Sequence, residues 1–138
     1  MEKKIVLVTG IGGNVGQGIL RNIKKTQFPI KIIGCNVTDF SAGNYLCDTF
    51  YKVPYAMDED YISAINSIVE NEKIDLIIPS TDYEVYYLSL YQNKLKTNVV
   101  VSGLETSKNY LDKYLTFLHH KKNNLPFAQS YLPGDYEK

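Results

Sequence analysis

Three polar clusters in this chain have residue types and spacing that could do chemistry. The first is Thr9-Gly10-Ile11-Gly12-Gly13-Asn14-Val15-Gly16-Gln17-Gly18, which follows the apolar run Ile5-Val6-Leu7-Val8 and leads into the helical pattern Ile19-Leu20-x-x-Ile23. A strand, a glycine-dense turn and a helix N-terminus aim backbone N–H groups and the positive end of a helix dipole at one point, where a phosphate or carboxylate can sit. The spacing Gly10-x-x-Gly13-x-x-Gly16 matches nucleotide-binding turns, in which one glycine permits the bend, one lets a ligand approach the backbone and one lets the helix pack on the strand. The same glycines would also suit a strand-to-helix turn with no ligand, since glycine is the default wherever φ is positive. Gly10, Gly12, Gly13, Asn14 and Gly16 are therefore candidate anion- or substrate-binding residues.

The second cluster is Ser80-Thr81-Asp82-Tyr83-Glu84. After a strand, such hydroxyls and carboxylates can bind polar groups of a substrate; they can also cap a helix, with Thr81 or Asp82 accepting N–H bonds and Glu84 favoured in the first turn by the dipole. Ser80, Thr81 and Asp82 join the candidates, and Glu84 reads as a helix-start residue. The third position is Asn36, about 20 residues beyond the glycine turn, where a dinucleotide-binding fold carries an acid for the ribose hydroxyls. Asn36 is neutral, and Asp39 nearby reads as a turn former. An extended short-chain dehydrogenase would also need a Tyr and a Lys four positions apart, and none of the twelve tyrosines has one. Binding of NAD(P) is thus disfavoured.

Other reactive residue types lack partners. His119 and His120 are neighbours, so on a helix they point about 100° apart and cannot converge on one ion; they read as solvent-facing. Cys35 and Cys47 have no metal-ligand spacing and sit beside apolar positions, as reduced, buried thiols do. No metal site and no catalytic residue is expected within this chain.

The elements that must position these residues follow from alternating apolar runs and amphipathic stretches, the pattern of β-α-β units. Strands are expected at 4–8, 31–35, 75–79 and 98–101, four of them side by side, with a short extended piece at 50–53. Helices are expected at 15–25, 60–71 and 82–92, with a further helical stretch between 106 and 123 broken near Asp112. Tyr61, Ile65, Ile68 and Val69 form one apolar stripe. The fold class is α/β: a three-layer, Rossmann-like parallel sheet with helices on both faces. Right-handed crossovers would gather the candidate loops at the C-terminal edge of the sheet. The 127–138 tail looks like a strand that starts and then stops, as in a piece of a longer polypeptide.

Composition narrows the partners. A chain of 138 residues supports one core. Fifteen basic and fifteen acidic side chains cancel, leaving neither a basic stripe for nucleic acid nor a polybasic patch for a membrane. No apolar run approaches the roughly 20 residues of a membrane span, and the start of the chain runs straight into a strand, so a cytoplasmic protein is expected.

With these elements in place, the chain resembles the N-terminal, pre-ATP-grasp domain of ATP-grasp carboxylate–amine ligases, most nearly the carbamoyl-phosphate-synthase large-chain-like group. The resemblance rests on the glycine turn, on Tyr45-x-x-Asp48-x-x-Tyr51-x-Val53-Pro54, on Ile74-Asp75-Leu76-Ile77-Ile78-Pro79-x-x-Asp82-x-Glu84, on Asp112-Lys113-x-x-Thr116 and on Leu125-Pro126-Phe127. It implies a Rossmann-like pre-ATP-grasp domain over 1–105, then a helical segment and the start of a linker over 106–138. It implies an enzyme that uses ATP and Mg to activate a carboxylate as an acyl phosphate for attack by an amine or ammonia. The resemblance places Lys113 at ATP and the glycine turn and Asp82 on the substrate side. The metal-binding carboxylates and flap of the ATP-grasp fold would lie beyond about Pro126, so no catalysis and no tight cofactor are expected of this chain alone. The partners implied are small-molecule carboxylates and amines, and a homodimer is compatible with them. A stand-alone nucleotide- or metabolite-binding module, a dehydrogenase-like fragment and a structural domain without ligand are the alternatives.

Overall fold

The computed structural model describes residues 2–137. Five runs rich in β-branched residues form β1 (Lys4–Val8), β2 (Ile30–Asn36), β3 (Thr49–Lys52), β4 (Leu76–Ile78) and β5 (Asn98–Val99). They make one sheet in the order β3-β2-β1-β4-β5. Every pairing is parallel: Val6 sits opposite Ile32 on one side and Leu76 on the other. Between the strands run α1 (Asn14–Lys25), α2 (Tyr61–Glu72) and α3 (Asp82–Leu90), and after β5 come α4 (Leu104–Leu111) and α5 (Lys113–Lys122).

Side chains alternate across a strand, so β1 feeds two cores. Leu7 joins Ile33, Cys35, Ile77, Leu88 of α3 and the α2 stripe Tyr61, Ile65, Ile68 and Val69 on one face. Val6, Val8 and Ile32 pack with Ile11 and Leu20 of α1 on the other. Helices thus cover both faces, as the periodicity predicts. Full burial of each such aliphatic side chain contributes about 1.5–3 kcal/mol.

Three departures from the expected elements have identifiable causes. The piece at 50–53 is a full edge strand, because Asp48 clamps it to β2: its backbone N–H donates to Ile32 O (2.8 Å) and its carboxylate accepts from Ile32 N (2.8 Å). The 127–132 stretch forms no strand and is followed by a 3₁₀ turn at Pro133–Glu137. Nor are the histidines solvent-facing. After α5 the chain reverses through Asn124 at φ 53°, with Leu125 N–H donating to His120 O. This lays Phe127 against the His120 ring (centroids 4.8 Å apart), while His120 Nε2 meets the Tyr110 hydroxyl at 3.0 Å. Both histidines end half-buried.

The break at Asp112 falls where the sequence places it. Asp112 has extended backbone, which ends α4, and its carboxylate accepts from Tyr114 N (2.8 Å) and Leu115 N (2.9 Å), which starts α5. Among the described residues no helix is long and apolar enough to cross a membrane.

Candidate functional site

Parallel strands bring the loops after β1, β2, β3 and β4 to one edge. Strand order reverses between β1 and β4, which opens a crevice there. The glycine turn is pinned from below. Thr9 and Ile11 are fully buried, Ile11 N–H donates to Cys35 O (3.3 Å), and the Ser80 hydroxyl reaches the carbonyls of Thr9 (2.7 Å) and Gly10 (3.0 Å). Gly10 has φ +62°, a left-handed conformation, and any side chain there would strike Glu84 Oε2, Ser80 Oγ and Thr81 Cγ2. At Gly16 an added Cβ would lie 2.7 Å from both Gly10 O and Ile11 Cα, so this glycine sets how closely α1 approaches the turn. The α1 N-cap is Gly13, which offers no side-chain acceptor to the first helical amides. Part of the turn's own donor set is engaged internally, since Gly13 N–H bonds Gly10 O (3.2 Å).

Asn36, at the end of β2, organises the loop that follows it. Its Oδ1 accepts from Val37 N (2.9 Å) and its Nδ2 donates to the hydroxyls of Thr38 (3.2 Å) and Ser41 (3.3 Å). Gly12 passes directly over this amide; a Cβ on Gly12 would stand 2.6 Å from Nδ2. Asp39 is instead paired with Lys52 at 2.5 Å, and both are exposed.

The floor of the crevice is Glu84. Thr81 is the α3 N-cap, its hydroxyl accepting from Glu84 N (3.2 Å), so Thr81-x-x-Glu84 is a capping-box sequence. The glutamate side chain lies beneath Gly10, with Oε2 accepting from Thr81 Oγ1 (2.8 Å) and Oε1 facing the Tyr61 hydroxyl (3.4 Å). It is 7% exposed. Burial pushes its pKa above the ordinary carboxylate value, an effect only partly offset by the hydroxyls of Thr81, Thr9 and Tyr61 and the Ser80 amide. Burial likewise pushes the Tyr61 phenol and the Cys35 thiol well up, so both are neutral. The Thr9 hydroxyl is buried beside Glu84 and Tyr61.

A cavity of about 610 Å³ opens above Glu84. Of the sequence-derived candidates, Gly10, Gly12, Gly13, Asn36 and Thr81 line it; Ser80 and Gly16 support the turn from behind, while Asn14 begins α1 and Asp82 begins α3 outside the lining. The remaining wall consists of Val37, Thr38 and Ser41 after β2, Tyr55, Ala56 and Met57 after β3, and Tyr83 with Glu84 on α3. The β3 loop escapes a sequence reading that leaves β3 out of the sheet. Glu84 carries a sequence signal, its place in the capping box and in the Pro79-x-x-Asp82-x-Glu84 motif, but that signal does not distinguish a buried floor from a solvated first turn.

Lys113 lies away from the cavity. Its ammonium pairs with Asp82 at 3.0 Å, with side chains 76% and 62% exposed, so it has the fixed partner that an isolated surface lysine would lack. The Asp112-Lys113-x-x-Thr116 motif is a helix start: Asp112 caps α5, and the Thr116 hydroxyl donates to the carbonyls of Asn109 (3.0 Å) and Asp112 (2.9 Å). Among the described residues no group of three or more His, Cys, Asp or Glu could hold a metal ion.

Solved structures share this fold. N5-carboxyaminoimidazole synthetase from Staphylococcus aureus, in its complex with ADP, aligns with TM-score 0.64 and 18% identity over 86% of this chain and 30% of its own. Glycinamide-RNase-transformylase T from Mycobacterium tuberculosis aligns with TM-score 0.62 and 14% identity over 95% of this chain and 39% of its own. The biotin carboxylase domain of a thermophilic 2-oxoglutarate carboxylase, bound to bicarbonate, aligns with TM-score 0.61 and 16% identity over 89% of this chain and 28% of its own. The chain therefore spans about a third of the length of these proteins. No similar sequence is found among curated proteins. Residues 6–102, from β1 to just past β5 and including the whole cavity lining, match the PylC-like, N-terminal domain, and the chain belongs to that family.

Proposed function

We propose that this chain is the substrate-side N-terminal domain of an ATP-dependent ligase that activates a carboxylate as an acyl phosphate and passes the acyl group to an amine or ammonia. The observation that carries the reading is the cavity at the C-terminal sheet edge, enclosed by residues of the family match. On this reading residues 1–105 form the pre-ATP-grasp domain and 106–138 lead toward the nucleotide-binding part. The residues present do not fit a Mg-ATP site by themselves: they offer no metal-binding cluster among those described, and Lys113 is engaged by Asp82. ATP and Mg belong on this reading to the part of the ligase beyond this chain, with Lys113 at their margin, and a cytoplasmic location accords with that use of ATP.

What the chain's own residues do is bind and orient. The pinned glycine turn and the Asn36 hub fix a rigid wall before any ligand arrives, which lowers the entropy cost of positioning a substrate. The test uses a polypeptide that joins this chain to an ATP-grasp region, supplied with candidate carboxylates, ATP and hydroxylamine. Carboxylate-dependent ADP release with formation of the acyl hydroxamate is the expected result. Absence of both across carboxylates that bind would overturn the proposal, and ADP release by this chain alone would refute the division of labour. A stand-alone binding module would bind its ligand tightly and give no hydroxamate in any context.

A further inference from the structure

Resting on that reading, we infer that the cavity over Glu84 is the seat of the amine substrate, held as an ammonium ion with Glu84 as its counter-ion. The case is one of charge and shape. The lining contains no Lys, Arg or His, and Glu84 is its only carboxyl. That carboxyl is 7% exposed and forms none of the ion pairs of the described residues; it is met only by hydroxyls and the peptide backbone. A buried carboxylate without a cation is costly, so Glu84 holds its proton more tightly than a solvated acid and ionises more readily beside a ligand that brings a positive charge. An anionic ligand would meet the same acid, once ionised, and be repelled. Tyr55 after β3 and Tyr83 on α3 both line the cavity, 63% and 54% exposed, and aromatic rings within reach of a bound cation favour it further. The glycine turn then acts through its shape: only a residue without Cβ at position 10 leaves room for the Glu84 carboxylate beneath the turn.

The geometry also fixes a pH signature. The groups facing Glu84 are Tyr61 from α2, Thr81 from α3, Thr9 from β1 and Cys35 from β2; the phenol and thiol stay neutral through the accessible range, so Glu84 alone changes charge there. Ammonium binding should strengthen as pH rises and Glu84 ionises.

The experiment titrates the purified chain with phenethylammonium, 2-phenylethanol and 3-phenylpropionate, following backbone amide NMR signals of Gly12, Gly13 and Tyr83. Phenethylammonium should shift these signals and bind at least tenfold more tightly than the alcohol, with the propionate weakest. Glu84→Gln should lower the ammonium affinity at least tenfold and leave the alcohol unchanged. Should that variant lose its fold, the wild-type pH series decides alone: tighter ammonium binding from pH 5 to 8 with a flat alcohol profile is expected. Propionate binding more tightly than ammonium, a flat ammonium profile, or no ammonium-induced shift would each overturn the inference. Hydroxamate formation by the longer polypeptide is independent of these outcomes, so the ligase reading can stand if the ammonium site falls, and the reverse.

Discussion

Asp82 and Glu84 are carboxylates two positions apart in the first turn of one helix, yet they belong to different regions. Asp82 faces outward, is 62% exposed and is matched by Lys113 across to α5. Glu84 faces inward, is 7% exposed, and has above it a turn in which backbone atoms replace side chains. The helix start treats them alike, since the dipole favours both. The surroundings do not, and so one carboxylate is a solvated partner while the other is an uncompensated acid at the floor of a cavity. The inner region is close-packed and unforgiving; the outer one is solvated and tolerant.

The largest effect that could break this contrast concerns Gly16. Gly16→Ala places a Cβ against the backbone of the turn, which cannot move aside as a side chain could, and should destabilise by about 2–3 kcal/mol. Thermal melting should then fall by roughly 10 °C. Two positions on, Gly18→Ala meets nothing within 4 Å and should stabilise α1 by about 0.5–1 kcal/mol. Equal effects at both sites would mean the turn is looser than its packing.

Next in size is the charge on Glu84. Its native pKa is raised by burial, so its contribution to stability is fully present below the unfolded carboxylate value and is lost as pH rises through the native one. Glu84→Gln removes that loss. The melting temperature of the variant should therefore gain on that of the wild type as pH rises above the ordinary carboxylate range. Parallel pH profiles would show that Glu84 is solvated after all.

In the outer region Asp112→Ala should cost about 1 kcal/mol, because two amides lose their acceptor, and hydrogen exchange should quicken at Tyr114 and Leu115. Lys113→Met should lie within about 0.5 kcal/mol of wild type despite its ion pair, since exposed pairs contribute little. In a longer ligase the same change should weaken ATP binding if Lys113 meets the nucleotide, and unchanged ATP kinetics would remove it from that role.

The sequence reveals the parts of this molecule governed by local pattern. The strands before and after α1, the α2 stripe and the break at Asp112 all follow from periodicity or capping chemistry, and each lies where that chemistry puts it. The glycine turn and Asn36 are also legible as neighbours at one sheet edge, because topology alone brings the loops of a parallel sheet together. Legibility ends where contact depends on residues distant in sequence. Nothing near Glu84 in the chain announces that Gly10 will roof it, and nothing near Tyr55 announces that β3 will join the sheet through Asp48. The surroundings of His119 and His120 are hidden from the sequence for the same reason: Tyr110 from α4 meets both rings, and Phe127 meets His120 after a reversal that only the fold displays.

The sheet's outer strands carry a further consequence. β5 offers only Asn98–Val99 to the ladder, and β3, at the opposite margin, is four residues long and ends in Lys52. Short margins, one of them ending in a lysine, are poor templates for another strand. The central, apolar β1 is shielded by β2 and β4 on its flanks and by helices above and below. Aggregation of this chain should therefore require the sheet to open first, and its onset on heating should track global unfolding rather than precede it.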